Sequence, residues 1–201
     1  MGKRVSVSPK LRGMRTIEWY GQQVPWPSDT LAVMTRAVAP GINLNFDEFP
    51  PQALEEGAPS FEGCPVYVDH VYQLTDSVES FWPDGMDRSR SRGTVGAWHL
   101  DENDVLSLLI FVDKKWEQLC QALLSGAVNS VSMGCECDTY CSVCGQLFRD
   151  DNPCDHCPQL IGMPSDNGPV HDVLGRIRFT EISFVFDPAE PSALIWSVQD
   201  D

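Results

Sequence analysis

The spacing of apolar positions predicts a chain built mainly of strands, with one clear helix in its second half. Within residues 114–124 the apolar positions follow the i, i+3, i+4, i+7, i+8 pattern, at Trp116, Leu119, Cys120, Leu123 and Leu124. This pattern is typical of a helix with one buried face. Ser125 and Gly126 stand where such a helix should end. Residues 127–133 are short and apolar, and they predict a strand that carries Ser132 directly after the helix.

Several other runs predict strands. Residues 64–70 are rich in β-branched and aromatic side chains and predict a strand that ends at His70. Residues 93–100 and 105–112 are separated by four polar residues, which favours a hairpin. Residues 41–51 favour extended structure, whereas residues 30–39 fit a helix or a strand equally well. Turn residues and an arginine-serine run over residues 71–92 predict a long loop.

The last strong run, residues 176–186, predicts a strand with an unusual charged position. Strict alternation places Ile177, Phe179, Glu181, Ser183 and Val185 on one face. On that face Glu181 would lie among apolar side chains, where a carboxylate needs a partner.

Length and composition indicate one domain with small appendages. The 201 residues suffice for one core but hardly for two. We therefore expect an N-terminal arm over residues 1–29, a main domain over 30–193 and an acidic tail over 194–201. No apolar run approaches the roughly 20 residues that cross a bilayer, so no membrane insertion is expected. A net charge of -15 argues against a nucleic-acid partner, which would require a basic face.

The cysteines predict a metal site. Cys141, Cys144, Cys154 and Cys157 form two Cys-x-x-Cys pairs with nine residues between them, the spacing of a small tetrahedral zinc site. His156, Cys135 and Cys137 are competing ligands, and disulfides or buried free thiols are the alternative. The first ten residues lack the apolar segment of a secretory signal, so a reducing compartment is expected. Four protein ligands would make the Zn²⁺ structural, clamping an inserted zinc knuckle over residues 135–160.

Single serines and histidines carry little information, but the order of the motifs here is distinctive. A histidine at a strand end is followed by a helix and by three short motifs: Ser132-Met133-Gly134, Glu181-x-Ser183-x-Val185 and Pro188-Ala189-x-Pro191-x-Ala193. This ordered set resembles the prohead maturation proteases of tailed bacteriophages, which are related to the herpesvirus assemblins. The likeness spans roughly residues 61–193.

The resemblance implies a serine endopeptidase with a mainly β, α+β fold: a herpesvirus-protease-like β-barrel with flanking helices. Ser132 would be the nucleophile and His70 its general base. Glu181 is the expected third member, and His171 is the alternative because the herpesvirus relatives use a second histidine. Gly134 would let the backbone approach the oxyanion closely.

The resemblance also implies where such an enzyme would act. Its substrates would be scaffold and major capsid proteins, and the chain itself, inside the assembling procapsid in the host cytoplasm. Because the herpesvirus relatives dimerise, a homo-oligomer is the analogous expectation. Two other interpretations remain open: a virion structural protein that has lost catalysis, and a zinc-knuckle interaction module. The mutual geometry of Ser132 and His70 is the observation that best separates them.

Overall fold

The structure, a computed structural model, describes residues 15–71, 90–148, 154–156, 160–166 and 168–200. The predicted loop over residues 71–92 therefore lies largely outside the described residues. Two short helices are α1 (Pro51–Gly57) and α2 (Glu117–Leu124). The strands are β1 (Arg15–Trp19), β2 (Gln22–Trp26), β3 (Thr30–Val38), β4 (Gly41–Ile42), β5 (Asp47–Phe49), β6 (Pro65–Val68), β7 (Gly93–Leu100), β8 (Leu106–Asp113), β9 (Ser130–Cys141), β10 (Pro164–Ser165), β11 (Gly168–Pro169), β12 (Asp172–Val185) and β13 (Ile195–Gln199). The predicted mainly β class with helices is confirmed at this level.

Nine strands form one sheet that curls into a half-barrel. Its order is β13-β3-β8-β7-β6-β12, with β9 along the other edge of β12 and with β5 and β4 beside the first residues of β12. Residues 30–39, undecided from periodicity, are β3 because they lie between β13 and β8 and are buried on both faces. The predicted hairpin is present as β7 and β8.

The curl brings the two ends of this sheet together. The backbone N–H of Ile195 donates to the carbonyl of Asn129 at 2.8 Å, and that of Val131 donates to Ala193 at 3.0 Å. Thus β13, which belongs to one end of the strand order, meets the start of β9 at the other end. The concave side encloses the main core, where Phe61 and Phe179 stack with 4.1 Å between ring centroids.

Parts of the expected N-terminal arm and of the expected acidic tail form strands. Residues 1–14 lie outside the described part, but β1 and β2 form an antiparallel hairpin within the expected arm. Its Ile17, Trp19 and Val24 pack on the convex side of the sheet against residues such as Phe111. Likewise the expected tail contains β13, which pairs with β3. These paired strands lie in the segments that were expected to be an arm and a tail.

The first residues of the expected knuckle belong to a strand. The strand β9 continues to Cys141, so Cys135 and Cys137 belong to the sheet and pack toward the main core. No described helix is both long and apolar enough to cross a membrane.

One irregularity decides which side chains share a face of β12. Phe179 is opposite Cys135 on β9, but Glu181 is opposite Gly134, so Thr180 is an extra residue in the ladder. This is a β-bulge, which shifts the alternation by one position. As a result Phe179 and Ile182 both face the main core. Glu181 faces the other way, and the prediction that it shares a face with Phe179 was wrong.

Candidate functional site

The ladder between β9 and β12 assembles the centre of the candidate active site. Beyond the bulge, Ser132 is directly opposite Ser183 and Gly134 is opposite Glu181. Side chains of opposed residues on one face have Cβ atoms about 5 Å apart. The bulge therefore places a serine, a second serine and a carboxylate on one small patch, outside the main core.

His70 reaches this patch from the neighbouring strand. The parallel pairing of β6 with β12 places Tyr67 next to Ser183, and the chain then turns sharply. Asp69 and His70 both have left-handed backbone angles, with φ of 49° and 55°. Such angles are costly for residues other than glycine and persist where surrounding contacts enforce them. Here the backbone N–H of Asp69 donates to the carbonyl of Phe184 at 3.0 Å.

The imidazole of His70 and the carboxylate of Glu181 form a close hydrogen bond. Nδ1 of His70 lies 2.7 Å from Oε1 of Glu181, whose side chain is fully buried, while that of His70 is 38% exposed. Since an ionised carboxylate only accepts, Nδ1 carries the proton and Nε2 is left to accept one. The hydrogen bond to Glu181 raises the pKa of His70 above its ordinary value of 6.5, partial burial opposes this, and the charges of Glu181 and Asp69 add to the increase.

Gly134 is what makes room for this carboxylate. A Cβ atom at position 134 would lie 2.6 Å from Oε1 of Glu181 and 3.0 Å from its Cγ. The glycine of the Ser-x-Gly motif thus has a steric role toward Glu181. The sequence suggested an oxyanion role instead and gave no sign of this contact.

Ser132 and His70 line the same cleft. The cleft has a volume of about 470 Å³, and its other walls come from residues 44–45 and 185–189. The backbone N–H of Leu44 donates to the carbonyl of Ala189 at 2.8 Å, which joins the two walls. Leu44 and Phe186 are largely exposed apolar side chains there. Sequence reasoning missed the wall at residues 44–45 because that turn has no motif, whereas Val185, Pro188 and Ala189 belong to motifs that were given no role in a cleft.

His171, the alternative third member, lies elsewhere. Its Nε2 is 2.9 Å from Oε2 of Glu48, and its Nδ1 is 2.7 Å from the carbonyl oxygen of Pro169. It precedes the first residue of β12, whereas Glu181 lies ten positions further along the chain. Ten residues of strand span roughly 30 Å. His171 therefore does not take part in the contact with His70.

A second cluster follows the end of β9. Cys141, Cys144, Cys154 and His156 each offer a ligand atom, and these atoms lie within 4.8 Å of one another. The turn between the first two is tight: the N–H of Gly145 donates to the carbonyl of Cys141 at 2.8 Å, and the N–H of Val143 approaches Sγ of Cys141 at 3.4 Å. Three sulfur atoms and one imidazole form a donor set that Zn²⁺ prefers.

An unpaired buried atom supports a metal at this cluster. Nδ1 of His156 is buried and has no hydrogen-bond partner among the described residues. A buried polar atom without a partner is costly, and a metal ion bound by Nδ1 itself would remove that cost. Of the four predicted ligands, Cys141, Cys144 and Cys154 lie in the cluster, and Cys157 lies outside the described residues. The described alternatives Cys135 and Cys137 are in β9, away from the cluster.

No match to this chain was found among protein-family models, curated proteins or solved structures. The resemblance to prohead proteases thus stays a prediction.

Removal of one thiolate should abolish metal binding. We expect Cys154→Ser to lose a stoichiometric metal ion, because a hydroxyl is a much weaker zinc ligand than a thiolate. Elemental analysis of the purified full chain measures this. Cys137→Ser is the matched control, since it removes a partly buried thiol outside the cluster, and it should keep the metal. Equal metal content in both variants would contradict this assignment.

Proposed function

We propose that this protein is a serine endopeptidase of the prohead-protease type, with Ser132 as nucleophile, His70 as general base and Glu181 as the group that orients and stabilises the imidazole. The observation that carries the proposal is the 2.7 Å contact between Nδ1 of His70 and Oε1 of Glu181, at a cleft that Ser132 also lines. These residues come from three separate strands or their ends. A histidine bound through Nδ1 to a buried carboxylate is the arrangement of the Ser-His-Asp and Ser-His-Glu triads.

The chemistry follows from the protonation states. Nε2 of His70 would take the proton from Ser132 as its oxygen attacks the peptide carbonyl, and it would return that proton to the leaving amine. The Glu181 carboxylate would stabilise the imidazolium that forms between these steps. Because Glu181 is fully buried, water screens this interaction little.

The curled sheet supports the finer fold proposal of a herpesvirus-protease-like barrel. The bulged β12 lies next to the serine strand on one side and next to the histidine strand on the other. The cysteine cluster supports a structural Zn²⁺, because four protein ligands would leave no open position for water. Scaffold and major capsid proteins, and the chain itself, are the proposed substrates.

The decisive experiment compares the full chain with Ser132→Ala. Each would be co-expressed with candidate scaffold and capsid proteins, and the fragment masses would be read by mass spectrometry. We expect cleavage only with the unaltered chain, and phosphonylation of Ser132 by a fluorophosphonate probe. Identical, uncleaved products in both samples would remove the protease proposal. They would favour a virion structural protein or a zinc-knuckle interaction module.

The raised pKa of His70 gives a pH prediction. Only the neutral imidazole can act as base, so activity should fall as the pH drops through a value above the ordinary 6.5. The stabilising effect of the His70–Glu181 ion pair has the opposite pH dependence. It is fully present below 6.5, the unfolded pKa, and is lost as the pH rises through the raised folded pKa. A pH profile of kcat/KM measures the loss of activity on protonation of His70. A loss of activity centred below pH 6.5 would contradict the prediction.

A further inference from the structure

The hydroxyl of Ser183 is buried between the carboxylate and the backbone of the proposed catalytic pair. Oγ of Ser183 donates to Oε2 of Glu181 at 2.7 Å and accepts the backbone N–H of His70 at 3.2 Å. The residue is fully buried. The Ser183 hydroxyl thus contacts both members of the pair. It binds Oε2 of Glu181, the oxygen that does not contact His70, and it binds the backbone nitrogen of His70 rather than the ring.

We propose that Ser183 is a positioning residue that fixes the His70–Glu181 geometry; its effect on catalysis rests on the function proposed above. Both oxygens of Glu181 are engaged, Oε1 by His70 and Oε2 by Ser183. The carboxylate therefore cannot turn about its last torsion without breaking one of two short bonds. Charge-assisted hydrogen bonds of this kind are about twice as strong as neutral ones.

The second contact restrains the histidine itself. His70 has φ of 55°, a backbone conformation that needs enforcement. The hydrogen bond from its N–H to Ser183 ties this turn to β12, the strand that carries Glu181. The Ser183 hydroxyl therefore fixes the position of His70 relative to Glu181.

The same geometry separates the roles of two neighbouring serines. Ser183 and Ser132 are opposite each other in the ladder, so either could appear to be the nucleophile. The proton of Ser183 is donated to Glu181, and its oxygen is buried and accepts a second bond. Ser132 is only half-buried and lines the cleft. Ser183 is thus suited to hold the pair, and Ser132 to meet a substrate.

The test reads the titration of His70 by imidazole NMR on the full chain. Ser132→Ala serves as background to prevent self-cleavage, and His70→Gln identifies the signal among the four histidines. With Ser183→Ala added, we expect the pKa of His70 to fall toward 6.5, because the bond to Glu181 that raises it is less often formed. Ser183→Thr, which keeps the hydroxyl, should restore the raised value. Ser130→Ala is the matched control: it removes a buried hydroxyl that donates to Val185 in the same ladder, and it should change nothing at His70.

The activity arm uses chains with Ser132 intact. Loss of a hydrogen bond that orients a metal-ligating side chain lowers activity by roughly 10- to 100-fold, and by analogy we expect Ser183→Ala to lower kcat by a similar factor. KM should change little, because Ser183 does not line the cleft.

The outcomes distinguish the positioning role of Ser183 from the protease function. An unchanged His70 titration in folded Ser183→Ala overturns the positioning role, as does a shift that alanine and threonine produce equally. If Ser183→Ala does not fold, Ser183→Cys replaces it, because a thiol is similar in size but a weak hydrogen-bond donor. Ser183→Cys must then lower the pKa of His70 in part, and an unchanged pKa overturns the positioning role. A shifted titration in a chain that cleaves nothing keeps the positioning role and removes the protease function.

Discussion

Glu181→Gln is expected to reduce kcat about 10⁴-fold, the size of loss seen when the acid of a serine-protease triad is replaced by its amide. An amide NH₂ at this position would favour the wrong tautomer of His70, with the proton on Nε2 instead of Nδ1. The pKa of His70 would also fall, because the bond to Glu181 is the largest cause of its increase. In Glu181→Gln, the pH at which activity is lost on acidification should therefore be lower than in the unaltered chain, although the maximal rate of the variant is small. Steady-state kinetics over a pH series measures both effects.

Glu136→Gln is the matched control for this variant. Glu136 lies on β9 near the same ladder, but its carboxylate is exposed and pairs with Arg178 at 2.8 Å. Exposed ion pairs contribute little to stability, so this variant should retain full activity. Comparable rates for Glu181→Gln and Glu136→Gln would show that Glu181 does not orient the base.

Gly134→Ala is expected to damage both the site and the fold. Its Cβ would lie 2.6 Å from Oε1 of Glu181, so the carboxylate must move away from His70. A displacement of about 1 Å at a catalytic group costs roughly 100-fold in rate. Forcing one extra methyl group into a packed site costs about 1–3 kcal/mol of unfolding free energy. Chemical denaturation and peptidase assays measure the two losses.

Gly175→Ala separates this effect from a general cost of alanine in the ladder. Gly175 lies on β12 opposite Asp138 on β9, but its Cβ would meet only the ring edge of Tyr140 at 3.0 Å. That ring can shift, so activity should be kept. If Gly134→Ala had full activity, the space that we assign to the Glu181 carboxylate would not be required.

The parts of the fold that were predictable are those with strong local periodicity. The helix α2 has the apolar spacing of a helix with one buried face, and β7 and β8 are two strand-like runs separated by four polar residues. The order of motifs suggested three residues that the structure brings to one place: His70 and Glu181 in contact, and Ser132 on the adjoining strand beside the same cleft. The ligand cluster was visible because paired cysteines at fixed spacing are rare outside metal sites.

Other features depend on pairing between distant strands. The bulge at Thr180 reverses the facing of every residue after it, yet nothing near Thr180 in the sequence marks it. Alternation alone therefore placed Glu181 in the apolar core. The left-handed turn at Asp69 and His70 has no glycine to reveal it. The hydrogen bonds of Ser183 join residues more than 100 positions apart, as well as a neighbour two positions away.

The meeting of β13 with the start of β9 has a consequence for the stability of the serine strand. The segment after Ala193 supplies backbone partners to two strands at once: Asn129 and Ser130 ahead of the nucleophile, and Ala32 to Thr35 on β3. A proteolytic cut just before Leu194 would remove the backbone hydrogen bonds that this segment forms with residues 129–130 and with β3. The strand that carries Ser132 therefore depends on β13 for part of its backbone hydrogen bonding, and loss of β13 is expected to loosen both β9 and β3.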